Sequence, residues 1–267
     1  MKKGVKKIVN NLLLKINYRA QISVFIIVAL VILVVMVLFY FFLPSINTKM
    51  KGGFDEKNPN AFIQTCLEDK IKESVKTISL QGGSIRPRFF FTYNNIPIEY
   101  LCYTNENFKL CQIQQPLLKQ HIETEIKNEI ASDVVNCFNS LKNSYENRNY
   151  DVKMEPGVTT VELLPKRIVV KFNYILTLTK GDTKRYDTFS IILNNNLYEL
   201  ISIVNSIIEL EATFGKADPR IYQSYYNDLK IDLNLRDDGT KIYVVQDRNT
   251  GNKFQFASRS LVFPPAF

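Results

Sequence analysis

Histidine occurs once in this chain, at position 121, so any imidazole chemistry rests on that residue. A nucleophilic pair needs the imidazole as proton acceptor beside a serine or cysteine. His121 instead falls on the polar flank of a Leu/Ile stripe with helical spacing, which predicts a surface position. The signatures GxSxG, HExxH and GxxxxGK[ST] do not occur, so no nucleophile elbow, zinc helix or phosphate loop is indicated. Asp232 to Gly239, DLNLRDDG, resembles the start of a calcium loop, but its acidic positions are out of register. Arg236 would repel the cation and no glutamate closes the loop, so a β-turn is expected there. Chemistry by aspartate and glutamate alone ranks behind a non-enzymatic role. No enzyme activity, cofactor or metal is expected.

The remaining reactive side chains are four cysteines, at 66, 102, 111 and 137. Without a CxxC pair, and with a single histidine, they do not form a zinc pattern. An even count fits two disulfides, for which three connectivities exist; four free buried thiols are the alternative. Cys102 and Cys111 lie in the facing arms of a polar turn at Thr104 to Asn107, close enough for a cross-strand bond. Cys66 sits on an apolar helix stripe, and Cys137 one step off another. Packing of those helices would join them, so Cys66–Cys137 and Cys102–Cys111 are the pairs expected.

Several elements must position these residues. From Ala61, the residues Phe62, Ile63, Leu67, Ile71, Val75 and Ile78 recur at three and four, which predicts a helix with Asn60 as N-cap and a stop at Gly82-Gly83. FFFTY and IPIEYLCY flank Asn94-Asn95 as a hairpin, with Pro97 marking an edge strand. The aromatic run Arg88-Phe89-Phe90-Phe91 reads as buried strand rather than binding edge. Pro116 opens one long helix to about Tyr145, with its stripe running from Leu118 through Ile130 to Tyr145. Strands are then expected at Val158 to Leu163, Arg167 to Thr179 and Tyr186 to Leu193, the last two joined at Lys180-Gly181-Asp182. A helix from Leu197 to about Phe214 carries two apolar rows, and a short helix around Ile221 to Leu229 follows. Turns at Asp237-Asp238-Gly239 and Asn249-Thr250-Gly251 link three closing strands. The apolar tail SLVFPPAF is expected to pack back or to bind a partner.

Outside these elements lies Ile22 to Leu43, twenty-two residues without a charge, glycine or proline. As a helix this stretch covers ~33 Å, which matches a hydrocarbon core of ~30 Å. Lys2, Lys3, Lys6, Lys7, Lys15 and Arg19 precede it without an acidic residue, which places that end in the cytoplasm and the rest outside. These six account for most of the net charge of +8, leaving 28 basic against 26 acidic residues. The basic balance is therefore a topogenic signal, and no nucleic-acid partner is expected.

The junction Asn17-Tyr18-Arg19-Ala20-Gln21-Ile22-Ser23-Val24-Phe25 places a basic and a small residue before Gln-Ile-Ser and the apolar run. It resembles archaeal type IV pilin precursors with their class III signal peptides. The resemblance implies a cytoplasmic cut between Ala20 and Gln21 by a prepilin-type peptidase, with Arg19 just before it, and an apolar helix that stays attached. It covers about 25 of 267 residues. Phe25 stands where that family usually has glutamate, and Pro44 and Gly52-Gly53 interrupt the stem that pilins continue outward. An uncleaved signal anchor is the alternative.

The expected architecture is α+β: a single N-terminal transmembrane helix, then an extracytoplasmic domain of long amphipathic helices and antiparallel sheets. Its parts are a basic cytoplasmic leader (1–20), the transmembrane helix (21–43), a linker (44–60), a helix-hairpin-helix module (61–150) and an α+β module (151–267). The expected role is that of a membrane-anchored, pilin-like cell-surface protein, structural or adhesive. The lipid bilayer and a homo-oligomer or membrane complex are its expected partners. A single-span accessory subunit of a membrane complex is the competing expectation.

Overall fold

The computed structural model describes residues 27–34 and 56–263. The chain divides into two compact units, Met1–Gly53 and Phe54–Phe267. In the first, residues 27–34 are helical (α1) with exposed side chains. The expected transmembrane helix is not upheld, since no described helix is long and apolar enough to cross a membrane. Eight helical residues rise only ~12 Å, and the rest of 22–43 lies outside the described residues. The long helices of the second unit carry charges within their turns: Glu68, Asp69, Lys70, Lys72, Glu73 and Lys76 in Pro59–Leu80 (α2), and Glu199, Glu209 and Glu211 in Leu197–Phe214 (α5). What the structure establishes is α+β.

Helix α2 begins one residue earlier than Asn60. Asn58 is its N-cap, with the side-chain oxygen accepting the Ala61 N–H at 3.1 Å. Asn60 instead makes two bonds to the backbone of Ser190, at 3.0 and 3.3 Å, and so ties α2 to a strand 130 residues away. The long helix expected from Pro116 bends at Ile130 into Leu118–Glu129 (α3) and Ala131–Glu146 (α4). The stripe stays continuous, since Ile126, Ile130 and Val134 are all buried. The bend lets the halves follow different partners: α3 lies on strand Thr159–Leu164 (β5), and α4 on α2 and strand Asp151–Glu155 (β4).

The strand Arg167 to Thr179 divides into Arg167–Phe172 (β6) and Ile175–Lys180 (β7), and its return arm into Asp182–Tyr186 (β8) and Phe189–Asn194 (β9). Both arms break at one level, giving two three-stranded sheets, β4-β7-β8 and β5-β6-β9. Gly157 marks the break, because a Cβ there would lie 1.8 Å from the Asn173 carbonyl oxygen. Only glycine lets the two backbones approach so closely.

The remaining strands form a six-stranded sheet. Phe90–Tyr93 (β1), Ile96–Tyr103 (β2), Lys253–Arg259 (β12), Lys241–Asp247 (β11) and Leu229–Leu235 (β10) follow in that order, with Gln112–Ile113 (β3) also on β2. Asn94 and Asn95 both take positive φ, as a tight hairpin turn requires. Strand β2 is not an edge, because β12 pairs with it in parallel. Pro97 is tolerated because that pairing starts only at Tyr100, leaving Pro97 opposite Thr92 of β1 alone. One core cluster includes Ile71 of α2, Leu101 of β2, Val170 of β6, Val204 of α5 and Phe256 of β12. The two modules expected to meet near residue 150 therefore share one core and one sheet.

Candidate functional site

All four cysteines are paired. Cys66 on α2 bonds Cys137 on α4 across a Cα separation of 6.1 Å, closing 71 residues of chain. Cys102 bonds Cys111 at 5.4 Å, next to the Cys102–Ile113 pairing of β2 and β3. These are the pairs expected from the helix stripes and the turn. Arg19, Ala20 and Gln21 lie outside the described residues.

His121 is not on the open surface. The chain leaves α2 through Gly82 and Gly83, at φ 86° and 113°, and this turn aims Ser84 between β2 and α3. The Ser84 hydroxyl donates to Glu99 Oε2 at 2.5 Å, and His121 Nε2 lies 2.8 Å from the same hydroxyl oxygen. A hydroxyl has one proton. With that proton given to Glu99, Ser84 accepts from His121 Nε2–H. The imidazole is then a donor at that nitrogen, and the carboxylate bonds the serine rather than orienting the ring. Through these contacts the cluster of three side chains joins the loop after α2, β2 and α3. Glu125 adds to it by accepting the Ile85 N–H at 2.9 Å. Burial pushes the Glu99 carboxyl above its ordinary value, and Glu125 adds to the rise; the Ser84 bond and His121 oppose it.

A second polar cluster lies at the end of α5. Glu211, with 0% exposure, pairs with Lys241 at 2.7 Å. It also accepts from the Tyr243 hydroxyl, from Ser258 Oγ at 3.1 Å and from the Ala217 N–H at 3.2 Å. Both of its oxygens are thereby satisfied, as a buried carboxylate requires. Burial, together with Glu211 beside it, drives the Tyr243 hydroxyl strongly upward. The sequence held a signal for Glu211, which falls one turn after Ile207 on a buried row of α5. Its partners on β11 and β12 were not legible.

A groove of about 730 Å³ lies between α2, the end of β9, the start of α5 and the β11–β12 turn. Val75, Leu193, Leu197 and Leu200 form its apolar floor, and Asn194, Asn195 and Asn252 supply amides. Lys72, Lys76 and Lys253 bring positive charge. Lys72 is held by Glu68 at 2.6 Å, whereas among the described residues no carboxylate pairs with Lys76 or Lys253. The turn wall is fixed, because Asn196 at the start of α5 bonds both Asp247 and Asn252 at 2.6 Å. Spacing along α2 showed Lys72 and Lys76 one turn apart; Lys253 and the asparagines are brought there only by the fold.

The aromatic run at 88–91 is part edge and part cover. Phe89 and Phe90 are 43% and 46% exposed, yet Phe89 packs on Tyr100 and Tyr103 at 4.8 and 4.4 Å between ring centroids. The DLNLRDDG stretch ends in the expected turn, in which Asp238 accepts the Thr240 N–H at 2.9 Å. Among the described residues no group of three or more His, Cys, Asp or Glu side chains is placed to hold a metal ion. No known protein family matches the chain, and neither does any curated protein or solved structure at a significant level.

Proposed function

We propose that this chain is an exported, non-enzymatic binding protein of the cell surface, with a structural or adhesive role of the pilin-like kind. The observation that supports it most is the use of every cysteine in two disulfides, bonds that persist in oxidising compartments. The wiring of Ser84, Glu99 and His121 favours a structural use of the one serine–histidine contact. The groove beside α2 has the size of an ordinary ligand site, roughly 300–1,000 Å³. On this reading the leader is removed between Ala20 and Gln21, and residues 56–263 face outward.

Protease added to intact cells tests the orientation. Digestion of the 56–263 region without lysis is the expected result; protection until lysis contradicts it. A second reading, an accessory subunit of a membrane complex, is favoured by Phe108 and Phe263. Their rings, 60% and 66% exposed, pair at 5.4 Å as an apolar contact point. Stoichiometric co-purification with a partner, lost on Phe108→Ser, would select that reading.

A further inference from the structure

We propose that the groove between α2, α5 and the β11–β12 turn binds an amphiphilic organic anion, a carboxylate joined to an apolar group. This deepens the binding role proposed above and rests on it. The chemistry is divided within the groove. Val75, Leu193, Leu197 and Leu200, each 6% exposed or less, present an apolar floor, and Ile192, at 57%, adds an apolar rim. Lys76 and Lys253 come from different elements and have no carboxylate partner among the described residues. Two uncompensated cations beside an apolar floor fit a ligand that carries both features, because a charge-assisted bond to a carboxylate is stronger than a neutral one. Lys72 is partly neutralised by Glu68 and contributes less. The asparagine amides can take polar atoms between the two ends of the ligand, and the Asn196 bonds keep the wall preformed, which limits the ordering cost of binding. The lysines are solvated, so attraction to the anion is screened by salt.

A free carboxylic acid and the carboxyl end of a peptide share this chemistry. The probe is dansyl-glycine, titrated by fluorescence into the full chain, with its methyl ester as the uncharged control. The acid is expected to bind about tenfold or more tightly than the ester, and to weaken in high salt. Lys76→Gln and Lys253→Gln should each weaken it by about five- to tenfold, the double variant further, and Lys142→Gln on α4 should leave it unchanged. Lys76 and Lys253 are exposed and Lys142 is half-buried at the surface, so the variants keep the fold, which circular dichroism verifies. Displacement by octanoate alone assigns free acids, and displacement by N-acetyl-leucyl-leucine alone assigns peptide ends. Equal affinity for acid and ester, insensitivity to both lysine changes, or no binding at millimolar probe overturns the proposal. None of these outcomes alters the protease result on intact cells, so the two readings fail separately.

Discussion

Glu99 and Glu211 show how differently a buried carboxylate can be held. Glu99 faces His121, Glu125 and the Ser84 hydroxyl, and burial raises its pKa above the ordinary 4.5. A carboxyl raised in the folded state contributes stability that is fully present below its unfolded value and is lost as pH rises through the folded one. Glu99→Gln keeps an acceptor for Ser84 but cannot ionise. Thermal melts across pH 3 to 8 should therefore show the wild type losing stability relative to the variant from about pH 4.5 upward; parallel curves would contradict this. Glu211 is fully paired, and its removal strands Lys241 inside. Glu211→Ala should cost about 3–5 kcal/mol in urea unfolding. Glu211→Leu with Lys241→Met should cost less, because both charges leave together, yet stay destabilising, because the Tyr243 hydroxyl, Ser258 Oγ and the Ala217 N–H lose their acceptor. His121 illustrates a limit of sequence reading. Helical spacing placed it correctly on the flank of the α3 stripe, yet the partners that half-bury it arrive from a loop 37 positions away.

Helices and the closing strands were legible because their signals are local. The α2 and α5 stripes bury most of the residues their spacing indicated, with Phe62, Tyr198, Ile203 and Leu210 half-buried at the margins. Turns at Gly181, Gly239 and Gly251 adopt the positive φ those glycines allow. What stayed hidden was non-local: the bend at Ile130, the split of β6 from β7, and the parallel β2–β12 pairing that closes the chain on itself. Gly157 belongs to that hidden class, since its need for closeness to Asn173 cannot be read from neighbours. Gly157→Ala should destabilise by about 1–3 kcal/mol through overpacking, measured by denaturant midpoint, while Gly181, with nothing within 4 Å, pays only for its backbone angle. The disulfides act at the same scale. Loop-closure entropy gives ~4 kcal/mol for the 71-residue Cys66–Cys137 loop and ~3 kcal/mol for the 9-residue Cys102–Cys111 loop. Replacing Cys66 and Cys137 together by alanine should therefore lower stability more than replacing Cys102 and Cys111.

Across the second unit, a shared core and the parallel pairing of β2 with β12 bind the two halves into one body, while both disulfides staple 61–150 and the Glu211–Lys241 pair lies within 151–267. The α+β class was legible from the alternation of periods, and the oxidised state from the even cysteine count. A membrane-spanning helix was expected from hydropathy alone, and the described helices do not supply it. The groove could not be foreseen, because its lysines and asparagines lie on three separate elements. The proposal of export and leader removal, for a fold closed by two disulfides, is tested most directly by intact mass of the native protein, alkylated without prior reduction. The account predicts a chain beginning at Gln21, four hydrogens lighter than its reduced sequence, with no alkyl group added. A chain retaining its leader and carrying four alkyl groups would contradict it.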